Sequence, residues 1–153
     1  GKKDLIQGIK KEPFFRALRC DKLILSMLEE ITEEHLNGNN SIPLLKMLST
    51  TVEELTNRAE KIVNSLNELP AEISVGDGES RMGGGTMPKS SIPSKTIDIL
   101  PNNISLPKLA KRLRETQNPV MGYIADEKFK VDLRTIFPRQ DQVLTDSIKE
   151  SLI

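Results

Sequence analysis

Two arginines set three residues apart, Arg16 and Arg19, carry the most specific chemistry in this chain. They lie in the run Pro13-Phe14-Phe15-Arg16-Ala17-Leu18-Arg19-Cys20-Asp21-Lys22-Leu23. Each guanidinium offers a planar fork of donors that fits two oxygens of a phosphate-like oxyanion at once, a geometry an ammonium cannot copy. The run precedes a helix that Asp21 is placed to cap, and a helix N-terminus ordinarily draws carboxylates, not arginines, to its neighbourhood. Pro13 and the two phenylalanines are expected to anchor the segment. Two readings follow: solvated charges near a helix start, or a clamp for a small, doubly charged oxyanion.

The second marker is Gly76-Asp77-Gly78-Glu79-Ser80-Arg81-Met82-Gly83-Gly84-Gly85-Thr86-Met87-Pro88. Gly83, Gly84 and Gly85 permit positive φ and close backbone approach, which suits either an active-site loop or merely a hairpin connection. The spacing is not that of a P-loop, because Lys89 follows Pro88 and no Gly-Lys-Ser/Thr closes the run. Lys108, Lys111, Arg112 and Arg114 crowd one later helix. That face is either solvated or a contact for nucleic-acid phosphates, which need charge and carry no sequence code. His35 and Cys20 are the sole members of their types. They exclude an intramolecular disulfide and a zinc site of the usual nitrogen and sulfur ligands. His35 is expected to complement a helix C-terminus, Cys20 to be a small packing residue, and neither to be catalytic.

Composition narrows the classes further. Lys plus Arg and Asp plus Glu number 22 each, so no global field draws the chain to nucleic acid or an acidic membrane. Four Phe, one Tyr and no Trp leave little for a base-stacking platform and predict an aliphatic core. No apolar run reaches the ~20 residues of a membrane span and no signal peptide opens the chain, so a soluble protein of the reducing cytoplasm is expected.

The positioning elements follow from periodicity. Leu5, Ile6 and Ile9 predict a short helix over 2–11 that ends before Pro13. Leu23, Ile24, Met27, Leu28 and Ile31 predict a second, from Asp21 to the stop at Asn37-Gly38. Ile42-Pro43 is expected to cross the next loop in extended form. Thr51 and Glu54 form a capping box for a helix whose apolar stripe runs from Val52 through Leu55, Ala59, Ile62 and Leu66 to Leu69, with Pro70 beyond. Glu54 and Arg58, four apart, are expected to pair. After residue 71 the period becomes two: a short strand at Ile73 and Val75, a loop from Gly76 to Pro88, and a second strand over 94–100. A Ser105-capped helix follows, with Leu106, Leu109, Ala110 and Leu113 inward. A hairpin of 121–124 and 129–133 turns at Asp126-Glu127, and a final helix spans 139–152. The order from Thr51 is α-β-β-α-β-β-α. It predicts an α/β domain, a small and mainly antiparallel sheet covered by helices.

These segments resemble bacterial selenocysteine synthase, in which the arginine segment reads close to Pro-Leu-x-Arg-Ala-Leu-Arg-Val-Asp-Lys. The resemblance runs on through Gly-Lys-Lys-Asp-Leu-Ile at the start, Ile42-Pro43 to Met47-Leu48, the Glu-Ser-x-x-Gly-Gly-Gly segment, Met121-Gly122-Tyr123-Ile124 in place of a common Ile-Gly-Arg-Ile, and Asp132-Leu133-Arg134-Thr135. Cys20 departs from the family's usual Val. The family belongs to fold type I of the pyridoxal-phosphate enzymes. The resemblance therefore implies that residues 1–50 are the terminal helical segment of a large cofactor domain and 51–153 the C-terminal small domain. It implies conversion of seryl-tRNA(Sec) to selenocysteinyl-tRNA(Sec), with selenophosphate as donor and pyridoxal 5'-phosphate as cofactor, in a cytoplasmic homo-oligomer built from dimers.

By the same resemblance Arg16 and Arg19 match arginines that hold the selenophosphate-like anion, and Gly83, Gly84 and Gly85 match a candidate active-site loop. The family's Schiff-base lysine stands in a Ser-Asp-Lys-Leu-x-Gly-Gly-Pro-Gln segment that is not found here. The chain, which opens on Gly1, is therefore expected to be an inactive fragment with no catalytic residue and no metal site of its own. Two alternatives remain in view: the same region of a related fold type I enzyme acting on a free amino acid, and a free-standing RNA-binding or interaction module.

Overall fold

The computed structural model describes residues 1–38, 42–81 and 91–153. They divide into two compact units, Gly1–Lys46 and Met47–Ile153.

The first unit carries α1 (Lys3–Lys11), a 3-10 turn over Pro13–Arg16 and α2 (Lys22–Leu36). Asp21 accepts the Ile24 amide at 2.9 Å, the N-cap expected of it. Helix α3 (Pro43–Ser49) straddles the division between the units. The extended crossing expected at Ile42-Pro43 is thus a helix start. Proline's fixed φ suits the first helical position, and the Lys46 amide closes the first turn on the Ile42 carbonyl at 3.1 Å.

The second unit holds the core. Its elements are α4 (Val52–Asn64), β1 (Ala71–Arg81), β2 (Ser91–Pro101), α5 (Leu106–Glu115), β3 (Tyr123–Ala125), β4 (Lys128–Asp132) and α6 (Asp141–Leu152). This is the α-β-β-α-β-β-α order read from the sequence. The four strands form one antiparallel sheet in the order β1-β2-β4-β3. Ile97, Ile99, Phe129 and Val131 alternate along β2 and β4 and bury one face of it. Leu55, Ala59 and Ile62 of α4, Leu109, Ala110 and Leu113 of α5, and Leu144, Ile148 and Leu152 of α6 join them in a single cluster. Thr51 and Glu54 make both bonds of the capping box. Asp126 and Glu127 take φ of 51° and 56°, the left-handed pair that a two-residue hairpin turn requires.

Strand β1 outruns the short strand expected. It continues through Gly76 and Gly78 to Arg81, pairing Gly76 with Thr96 and Gly78 with Ser94. The glycines serve close approach here, not a turn: a Cβ at Gly76 would collide with the Asp98 carboxylate, and one at Gly78 would stand 2.7 Å from the Thr96 methyl.

Candidate functional site

Arg16 closes the Pro13–Arg16 turn, and Arg19 lies two residues before the Asp21 cap. The turn is shaped by backbone bonds from the Ala17 and Leu18 amides to the Phe14 carbonyl, at 3.0 and 3.2 Å. Both arginines are exposed. Among the described residues neither is held by an ion pair or a side-chain hydrogen bond, so their donors face solvent uncommitted. The nearest helix start is already occupied by the chain's own Asp21 carboxylate. The donors left open at this place are those of the guanidinium forks. Cys20, expected in packing, is exposed instead, and so is Phe14, expected to anchor the turn.

Gly83, Gly84 and Gly85 lie outside the described residues. Their flanks do not: Arg81 stands opposite Ser91 at the paired ends of β1 and β2. The basic face of α5 is partly spent within the fold. Arg112 donates to the Ser151 carbonyl at 3.0 Å, and Lys111 lies 3.7 Å from Glu115.

Sequence reasoning missed the polar face of the sheet, opposite the helices. Lys130 Nζ donates to Asp98 at 2.7 Å, with both side chains nearly buried, and Thr96 donates to the same carboxylate at 2.5 Å. The Asp98 hydrogen bond holds the Lys130 ammonium above its ordinary pKa, and the charge of Asp98 adds to that, against the opposing effect of burial. Tyr123, across from Lys130, has its hydroxyl 3.7 Å from where a Cβ at Gly78 would stand. Burial raises the pKa of its phenol, and the negative charge of Asp132 raises it further. Two shallow clefts of about 470 and 430 Å³ meet at Tyr123, the first floored by Gly78, Ser94 and Lys130, the second by Ser80, Arg81 and Asp132. The signal for this face was the i, i+2 spacing of Ser94, Thr96 and Asp98 and of Lys130 and Asp132, set against Gly76 and Gly78.

A pyridoxal cofactor would need a lysine able to lose its proton. Lys130, held protonated by Asp98, does not fit that role. No cluster of three metal-ligating side chains occurs among the described residues. No helix among them is long and apolar enough to cross a membrane.

Comparison with known proteins identifies the lineage. Proteins named L-seryl-tRNA(Sec) selenium transferase are similar along nearly the whole chain. That of Carboxydothermus hydrogenoformans is 38% identical over 144 residues, covering 92% of this chain and 31% of its own length. That of Aquifex aeolicus is 32% identical over 154 residues, covering 99% and 34%. That of Alkaliphilus oremlandii is 34% identical over 156 residues, covering 98% and 33%. The chain thus spans about a third of the length of the curated relatives it matches. The family profile described as L-seryl-tRNA selenium transferase matches residues 1–137, which takes in the arginine pair and the whole sheet, and the chain belongs to that family.

Proposed function

We propose that this chain is the C-terminal portion of an enzyme that converts seryl-tRNA(Sec) to selenocysteinyl-tRNA(Sec), and that Arg16 and Arg19 hold the oxyanion of its selenium donor. The observation that carries the reading is the exposed guanidinium pair, which makes no ion pair or side-chain hydrogen bond among the described residues, in a chain of the selenium transferase family. In the overall exchange the β-carbon of the seryl group loses its bond to oxygen and gains one to selenium, while the selenophosphate Se–P bond is replaced by a P–O bond. The donor's phosphoryl group is therefore carried as a dianion up to transfer. Two forks supply directed, charge-assisted donors for its oxygens.

Pyridoxal phosphate, bound by the complete enzyme, supplies the electron sink for loss of the α-proton. Residues 1–50 are assigned to the end of the cofactor domain and 51–153 to the small domain. Gly83, Gly84 and Gly85 are assigned to an active-site segment. The complete enzyme is taken to work in the cytoplasm as a homo-oligomer built from dimers.

The test uses the full-length enzyme at subsaturating selenophosphate. Arg16→Lys and Arg19→Lys keep the charge and remove the fork. Each is expected to lower selenium transfer roughly ten- to a hundredfold, from about 1.5–3 kcal/mol per charge-assisted bond, with seryl-tRNA binding unchanged. Wild-type turnover in either variant returns that arginine to the role of a solvated charge.

A further inference from the structure

Strand β4 ends in a corner, Asp132 to Arg134, that gathers more of the chain than any other pair of side chains among the described residues. The Asp132 carboxylate accepts the Ser80 hydroxyl on one oxygen, and on the other the Ser94 hydroxyl at 2.5 Å and the Arg134 amide at 2.9 Å. Ser80 lies at the end of β1 and Ser94 near the start of β2, so one carboxylate grips both stems of the glycine-rich segment. The Arg134 side chain reinforces the grip. Its Nη2 donates to the Pro93 carbonyl at 2.5 Å, and its Nη1 to the Met47 and Thr50 carbonyls at 2.9 and 2.7 Å.

Arg134 is 6% exposed and forms no ion pair among the described residues, and its Nε has no hydrogen-bond partner among them. A buried cation without a carboxylate costs stability unless another negative field replaces it. The carbonyl of Met47 belongs to the last turn of α3, where unsatisfied carbonyls and the helix dipole present partial negative charge. Arg134 thus closes the end of α3 while it holds the entry to β2. A residue retained for packing alone would not need three donated bonds reaching two separate segments, the end of α3 and the entry to β2.

We infer that the Asp132–Arg134 corner is the positioning element of the glycine-rich segment, fixing its two stems to each other and to the end of α3. The inference deepens the assignment of Gly83, Gly84 and Gly85 to an active-site segment and rests on it. Its test compares Asp132→Asn and Arg134→Lys with wild type in the full-length enzyme. Asn keeps one acceptor oxygen, and lysine keeps the charge but cannot span three carbonyls.

Amides of 79–81 and of Ser91, Ile92 and Ser94 are expected to exchange at least tenfold faster in both variants, with those of Ile97, Ile99, Phe129 and Val131 unchanged. Turnover per cofactor-loaded site is expected to fall about tenfold while the melting midpoint and cofactor content hold. A merely structural role would lower the latter two and spare turnover per loaded site. Stem amides that exchange as in wild type overturn the inference. Should Arg134→Lys fail to fold, Asp132→Asn alone decides. Faster stem exchange with undiminished turnover per loaded site leaves the corner as the positioning element and removes the glycine assignment instead, which Gly84→Ala tests separately.

Discussion

Lys130 and Asp98 stand directly opposite each other on β4 and β2, with ammonium and carboxylate 2.7 Å apart and side chains only 8% and 6% exposed. The pair lies on the polar face of the sheet, where Gly76 on β1 leaves room for the carboxylate. Because Asp98 raises the Lys130 pKa, the folded chain holds that proton more tightly than the unfolded chain does. The stability it contributes is complete below the ordinary lysine value of 10.5 and is lost as pH rises through the higher folded value. Lys130→Met is expected to cost about 3–5 kcal/mol by stranding Asp98, and the double variant with Asp98→Asn much less. Urea titrations at pH 7 and across the alkaline range check both points. Equal losses in the single and double variants would show that the stranded Asp98 carboxylate costs nothing.

Arg58 reaches a different partner from the one its helix offers. Its Nε and Nη2 donate to the two carboxylate oxygens of Asp141 at 3.0 and 2.6 Å, and Nη2 also donates to the Ile136 carbonyl at 3.0 Å. Glu54 is engaged in the capping box, where it accepts the Thr51 amide at 2.9 Å. The contact ties the first helix of the second unit to the start of the last one, half-buried at 16% and 26% exposure. Arg58→Lys is expected to destabilise this unit by about 1.5–3 kcal/mol, because an ammonium cannot hold both oxygens and the carbonyl together. Thermal unfolding measures it. A midpoint equal to wild type would reduce the contact to a surface ion pair of little worth.

The contrast between Glu54 and Asp141 shows where local reading stops. Periodicity and capping depend on near neighbours, so the helix from Thr51, the Asp126-Glu127 turn and the order of elements along the chain were legible. Arg58 instead chose a partner 83 residues away, which no spacing rule reaches. Gly76 and Gly78 read as loop because glycine usually signals a turn, yet here the missing Cβ accommodates Asp98 and Thr96 from the neighbouring strand. The same limit hid the Asp132–Arg134 corner: its members are scattered from Met47 to Arg134 and meet only once the sheet has formed. Arg16 and Arg19 differ in that their spacing is local, and among the described residues neither fork makes an ion pair or a side-chain hydrogen bond.

The two units are expected to differ sharply in stability when this chain is studied by itself. None of the described residues of Gly1–Lys46 is buried, and Leu5, Ile9, Leu23, Met27 and Ile31 are each more than half exposed along α1 and α2. The second unit holds the whole aliphatic cluster. Helices of 9 and 15 residues without tertiary burial are marginal in water, because nucleation costs more than a few turns of propagation return. Amides of α1 and α2 should therefore exchange at close to unprotected rates, while those of α4, β2 and β4 wait for global unfolding. The exposed apolar faces should also drive concentration-dependent association. Hydrogen exchange on dilute, monomeric chain, paired with sedimentation over a concentration series, tests both. Equal protection of α2 and β2 in the monomer would show that the first unit is stabilised within this chain and needs no further partner.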